Sequence, residues 1–201
     1  MPRASILVRE ATPRDLPAII RLWEDIKKAA GRADRFAPMP NINRVRDFIC
    51  QSPHDPDQRA LVATMDDHVA VGFCIVTRQP FAPVYDGSSV HVHYLHVAES
   101  GRRRGIGRAL VAAAATFAEE VAADYVVTSV YPHLRDSNRF FARLGFAPVT
   151  TRRVVALPAL RRRLALESRL ESRASSVDEL LARQRSIRRV RAALLRTAGQ
   201  T

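Results

Sequence analysis

The sequence predicts a mixed α/β domain that carries a basic helical extension. Three observations predict it. Short β-type apolar runs alternate with amphipathic helical patterns through residue 150. One of the strands leads through an arginine- and glycine-rich loop into a long alanine-rich helix. From residue 151 onward the chain turns arginine-rich, with helical spacing of its leucines and valines. At 201 residues, of which 47% are apolar, it has room for one ordinary domain with a sizeable core plus an appendage.

The elements follow in order. Ser5–Val8 is a short apolar strand. Thr12 reads as an N-cap with Pro13 at the first helical position, and Leu16, Ile19, Ile20, Trp23 and Ile26 recur at helical spacing up to Ala30, where Gly31 stops the helix. A proline-rich stretch leads to a second helix around Arg44–Cys50, and Ser52–Asp57 is a loop. Arg59–Met65 and His68–Thr77 are strands of a hairpin turning at Asp66-Asp67. Val90–Val97 is a strand, Gly105–Val121 a helix, Tyr125–Tyr131 a strand and Asp136–Leu144 a helix closed by Gly145. Phe146 opens a further extended segment, with a last strand expected near Arg152–Leu157. The domain is therefore expected over 1–157 and the extension over 158–201, with Pro158 starting one helix and the capping box at Ser176–Glu179 another.

Composition excludes several classes. No apolar run approaches the roughly 20 residues of a membrane span, and no signal-peptide core follows Met1, so a cytoplasmic protein is expected. Cys50 and Cys74 make no disulfide framework, and Cys74 in Val71–Val76 reads as a small buried hydrophobe. Without Cys-x-x-Cys spacing, no structural zinc is expected. The formal charge of +12 is unevenly distributed: residues 1–150 hold 19 Arg or Lys against 16 Asp or Glu, whereas residues 151–201 hold 13 Arg against 4 acids. The basicity belongs to the extension.

The chemistry concentrates in Arg102-Arg103-Arg104-Gly105-Ile106-Gly107-Arg108. Glycines at 105 and 107 permit positive φ and close approach of backbone to a ligand. Amides of the loop and of the first helical turn then converge on one anion, which the helix dipole favours, and the four arginines add charge around it. A diphosphate fits such a seat. A dinucleotide fingerprint does not, because Leu110 stands where its third glycine belongs, and no Gly-Lys-Ser/Thr of a nucleotide-triphosphatase loop is present.

Arg102-x-x-Gly105-x-Gly107 after a fourth strand resembles the Arg/Gln-x-x-Gly-x-Gly/Ala loop of the GNAT acetyltransferase superfamily. Val8-Arg9-Glu10-Ala11-Thr12-x-x-Asp15 is similar to that superfamily's opening strand and helix, and Phe140–Phe146 to its closing helix-to-strand segment. The resemblance spans most of residues 5–150. It implies a mostly antiparallel mixed sheet flanked by helices, with acetyl-CoA as co-substrate. The pyrophosphate would sit on the amides of 102–108, and pantetheine along the backbone of Leu95, His96 and Val97. The reaction implied is direct attack of a primary amine on the thioester, which needs a proton acceptor for the ammonium and often a donor for the leaving thiolate.

Strand alternation places His91, His93, Leu95 and Val97 on one face and Val92, Tyr94 and His96 on the other. By the resemblance, the general base comes from this strand ahead of Val97, so His93 and His91 are the candidates, and imidazole titrates in the required range. A His-x-His metal site lacks a third ligand at suitable spacing, so no metal is expected. Relatives carry a proton-donating tyrosine where Phe141 stands. Tyr131, at the end of the fifth strand, and Ser137, four residues before Phe141, are the replacement donors, and Asn138 stands in for an asparagine that Leu134 displaces.

Arg32–Arg46 and Phe81–Ser89 are expected to wall the acceptor site, with Asp34, Asp47, Asp86 and His54 as possible partners for a cation or amine. The extension's apolar stripe with a basic face can pack on its own domain or on a second copy, making a homodimer. Binding of nucleic acid is less favoured, since no aromatic residue follows Phe146. Two functions stand: an active N-acetyltransferase, and a catalytically weak CoA-binding relative whose basic tail associates with nucleic acid or protein.

Overall fold

The computed structural model describes residues 5–30, 41–65, 69–84 and 86–169, and its contacts gather the chain into two compact units, Met1–Val149 and Thr150–Thr201. In the first unit the elements run β1 (Leu7–Glu10), α1 (Leu16–Ala30), α2 (Ile42–Gln51), β2 (Gln58–Thr64), β3 (Ala70–Pro80), β4 (Ser88–Val97), α3 (Ile106–Glu120), β5 (Tyr125–Thr128) and α4 (Arg135–Arg143). The five strands lie side by side in sequence order. β1 to β4 pair antiparallel, and β5 joins β4 in parallel, as a strand returning through the crossover helix α3 must.

Alternation along the strands divides the core into two layers. Ala60, Val62, Phe73 and Ile75 face one side, where Leu16, Ile19, Leu22 and Trp23 of α1 and Val45 and Ile49 of α2 cover them. Leu61, Ala63, Cys74, Val76, Val90 and Val92 face the other, against Ile106, Leu110, Ala114, Phe117 and Ala118 of α3. Burial raises the Cys74 thiol to about 12, so it stays a protonated core group.

The start of α1 is fixed by charge as well as by a cap. Arg9 of β1 donates two hydrogen bonds to the Asp15 carboxylate, at 2.7 and 2.8 Å. The backbone N–H and hydroxyl of Thr12 donate to the same carboxylate, at 2.8 and 2.9 Å. The turn Pro13–Asp15 is thereby tied to the first strand before the helix proper begins.

Ile106, 1% exposed, is the closest-packed residue at the head of α3. A Cβ on Gly72 would meet its Cγ2 at 2.8 Å, and one on Gly101 its Cδ1 at 2.7 Å. These two glycines let β3 and the Glu99–Gly101 turn press directly on the helix start. Gly72→Ala should therefore cost about 1–3 kcal/mol by overpacking, read as a lower urea midpoint at unchanged slope.

Several sequence expectations need correction. The fifth strand ends at Thr128 and does not reach Tyr131. No strand forms over 146–156: the residues from Ala147 to Ala156 are exposed, Pro148 lacks an N–H for a ladder, and the expected last strand near Arg152–Leu157 is unpaired. In the second unit the chain is helical over 157–169, where a helix at Pro158 was expected. The Asp66-Asp67 turn, the wall residues 32–40 with Asp34, and the Ser176 capping box lie outside the described residues.

Candidate active site

The parallel ladder between β4 and β5 begins at Ser89↔Tyr125 and stops at Val92↔Thr128. There the Thr128 hydroxyl donates to the Val92 carbonyl at 3.2 Å. β5 ends there, and β4 runs on through Val97 with only β3 beside it, so one backbone edge of His93–Val97 has no strand paired to it among the described residues. Such an edge offers N–H and C=O groups to anything extended that enters.

Within that stretch β4 carries a bulge. Ile75 lies opposite His93 and Phe73 opposite His96, so the span from His93 to His96 holds one residue more than its partner. Tyr94 absorbs the irregularity at φ 57°, and its ring packs on Trp23 of α1 at 4.6 Å. The bulge changes the expected faces. His91, His93 and His96 pair with Thr77, Ile75 and Phe73 on the α1 side, whereas Leu95 and Val97 join Val90 and Val92 in the α3 layer. A strict period of two had put His96 on the face opposite His91 and His93, and had put Leu95 and Val97 with those two. The extra residue inverts the phase after Tyr94.

The imidazoles have defined partners. His91 and His93 stack at 5.9 Å with planes 17° apart. His91 Nε2 lies 3.0 Å from Ser89 Oγ, and that hydroxyl also donates to the Gln79 carbonyl at 3.1 Å. His93 Nε2 lies 3.0 Å from Thr77 Oγ1, which accepts from the Gln79 amide at 3.0 Å. Ser89 was legible as Ser-x-His on one strand face. Thr77 and Gln79 were not, because only the β3–β4 register brings them here. His96 differs: its Nε2 is buried with no hydrogen-bond partner. Burial, reinforced by Arg102 and opposed by Asp25, lowers its pKa and favours the neutral ring.

The arginine loop leaves the end of β4 directly. Arg102 reaches back to the Val97 carbonyl at 3.4 Å, Arg103 has φ 60°, and Gly105, at φ 94°, is the N-cap of α3. The first intrahelical bond is Ala109 N–H to Gly105 C=O at 3.0 Å. Gly105 has no side chain to cap the turn, so the N–H groups of Ile106, Gly107 and Arg108 keep the outward direction an anion requires. Arg102, Arg103, Arg104 and Arg108 are exposed around them. Gly107 does not use a positive φ, contrary to expectation; a Cβ there would lie 3.3 Å from the Phe140 ring of α4, a close contact from which the ring would have to give way slightly. Ile106 can contribute only its backbone, its side chain being core.

α4 thus abuts the loop through Phe140, while Phe141 is buried between Phe140 and Phe146, at 5.0 and 5.2 Å. Tyr131 lies beyond β5, 39% exposed and stacked on His133 at 5.6 Å. Ser137 and Asn138 occupy the first turn of α4. The Asn138 amide donates to the Tyr131 and Leu134 carbonyls at 2.9 and 2.8 Å. Both of its N–H groups thereby hold the chain between β5 and α4, which leaves only its carbonyl oxygen for a ligand.

Residues 20–146 match the model of the acetyltransferase (GNAT) family. The chain belongs to that family. A search among curated proteins gave no match. Among solved structures, a transcriptional regulator from Bacillus halodurans C-125 is 23% identical, covering 76% of this chain and 100% of its own, with a TM-score of 0.62. A GCN5-related N-acetyltransferase from Ralstonia eutropha JMP134 is 22% identical, covering 76% and 99%, at 0.58. AAC(6')-Iy in complex with the bisubstrate analogue CoA-S-monomethyl-acetylneamine is 18% identical, covering 76% and 99%, at 0.58. The mixed five-stranded sheet flanked by helices is the GNAT fold. Among the described residues of this GNAT chain, no helix is long and apolar enough to cross a membrane, and no three His, Cys, Asp or Glu are grouped as for a metal ion.

Proposed function

We propose that this GNAT-family chain is an acetyl-CoA-dependent N-acetyltransferase that passes an acetyl group to a primary amine by direct attack on the thioester. One observation carries this reading: the edge of β4 left without a strand partner where β5 ends, at Val92↔Thr128, leads past the Tyr94 bulge to the uncapped, arginine-ringed start of α3. An extended thioester arm fits along the backbone of Leu95, His96 and Val97, and a diphosphate fits the Arg102–Arg108 loop that follows. That AAC(6')-Iy was solved with a CoA-based bisubstrate analogue supports the same assignment.

Ahead of this edge stand the stacked imidazoles of His91, within the ladder, and His93, just past its last pair. A proton released by the attacking ammonium has an acceptor there, either directly or through a water. CoA, when bound, supplies the activated acyl group; the chain's own contribution is to grip the diphosphate, align the arm and remove the proton. For the thiolate, Tyr131 is the exposed hydroxyl nearest in the chain to the β5–α4 turn, and Ser137 is the alternative.

The buried Phe141 favours a second reading, a CoA-binding relative with weak catalysis, because the residue in that place cannot donate a proton. Thiol release from acetyl-CoA with a panel of primary amines separates the two. At least one amine is expected to release thiol well above the amine-free rate. If CoA binds and no amine does so, the enzyme reading is wrong.

A further inference from the structure

Tyr94 holds a backbone conformation that ring-bearing residues rarely take. Its φ is 57°, in the left-handed region, at the bulge where β4 has one residue more than β3. Strict alternation would send its side chain with Val92 into the α3 layer. Instead the ring lies on the α1 side, 4.6 Å from Trp23 with planes 54° apart. It is also 6.1 Å from the His93 ring, on which His91 stacks at 5.9 Å. His91, His93, Tyr94 and Trp23 thus form a row of rings along one side of β4.

The row changes character along its length. Trp23, 7% exposed, belongs to the core and meets Phe73 at 6.4 Å. Tyr94 is 49% exposed. Packing on Trp23 accounts for one side of its ring, and the rest is flat apolar surface held open beside the His93 imidazole.

The place of that surface gives it a use. Tyr94 directly follows His93, a candidate proton acceptor, and directly precedes Leu95, His96 and Val97, along which the thioester arm fits. A substituent on the attacking nitrogen comes against Tyr94. An aromatic ring takes another ring offset or edge-on, and its face attracts an ammonium. A hydroxyl-rich amine would give up water there for too few hydrogen-bond partners.

Resting on the acetyltransferase reading, we propose that Tyr94 is a specificity-determining residue of the acceptor subsite, and that the accepted amines carry an aromatic ring close to the nitrogen.

Trp23 is the chain's one tryptophan, so its fluorescence reports a ligand seated against Tyr94. The full chain, saturated with CoA, is titrated with 2-phenylethylamine and with n-butylamine, a primary amine without a ring. 2-Phenylethylamine is expected to bind at least about tenfold more tightly. Tyr94→Phe should keep that preference and Tyr94→Gly abolish it. Glycine takes the positive φ freely, so the bulge stays while the ring goes. Should Tyr94→Gly not fold, Tyr94→Asn gives the same test, since asparagine also visits the left-handed region. Equal affinity for the two amines in the wild type, no saturable change with either, or a preference that survives loss of the ring overturns the proposal. These outcomes stand whether or not either amine is acetylated, whereas the enzyme reading fails only if CoA binds and no amine releases thiol. With turnover, the ring preference should reappear as a KM for 2-phenylethylamine about tenfold below that for n-butylamine, a difference that Tyr94→Gly closes.

Discussion

Gly105→Val should weaken CoA binding by about 10- to 100-fold, or roughly 1.4–2.8 kcal/mol. Space is not the reason, since a Cβ at this position meets only Ile6 Cδ1, at 3.7 Å. The reason is φ 94°, where any L side chain is strained by roughly 1–2 kcal/mol and a β-branched one by more. Valine escapes that strain by swinging the backbone to negative φ, which turns the amides at the start of α3 away from the anion. Gly145→Ala is the matched control. It also has a positive φ, 89°, and open space, but it closes α4 and does not cap α3. It should lower stability by about 1–2 kcal/mol and leave CoA affinity unchanged. Titration calorimetry with CoA on both variants measures the contrast; equal loss of affinity in the two would show that the loop's backbone has no special part in binding.

Arg9→Met should destabilise the domain by about 3 kcal/mol, toward the lower end of what breaking a buried ion pair costs, because Arg9 is itself 36% exposed while Asp15 is 7% exposed. Methionine keeps the stem's packing and removes the charge, leaving the carboxylate with Thr12 alone. Asp15→Asn should cost less, because no buried charge is stranded. The pH dependence follows the same pair. Burial by itself pushes the Asp15 carboxyl up, but the hydrogen bonds from Arg9 and Thr12 and the nearby guanidinium outweigh it and hold the group below its ordinary value. Folding therefore favours the ionised form. The pair's contribution is complete above the unfolded carboxyl's titration near about pH 4 and is lost as pH falls through the lower folded value. Urea unfolding of wild type and Arg9→Met at pH 7 and pH 3 checks this: the gap between them should narrow at the acid end.

Much of the fold was legible because local chemistry carried it. Thr12-Pro13-x-Asp15 announces a helix start by capping alone, and β-rich runs 59–65 and 68–77 pair as a hairpin does. The loop was equally legible, since Gly105 needs its positive φ whatever surrounds it. What failed were readings that depended on a partner. A fifth strand running to Tyr131 and a last strand near Arg152–Leu157 looked sound in sequence, but a strand exists only where another backbone pairs with it. Gly107 has no positive φ, and what lies close to it is the Phe140 ring, 33 residues on in the chain.

The histidine strand divides the two kinds of information most sharply. From the sequence alone come the three imidazoles, the strand that bears them and the arginine- and glycine-rich loop that follows. Only the tertiary structure decides which faces they take. A single inserted residue at Tyr94 reverses the alternation, and no local preference fixes where a bulge falls, because it is the β3 register that requires it. The same register sets Thr77 opposite His91 and diagonal to His93, whose ring lies 3.0 Å from the Thr77 hydroxyl. Residue types and spacing determine which side chains the strand carries; pairing between strands determines which neighbours each ring meets.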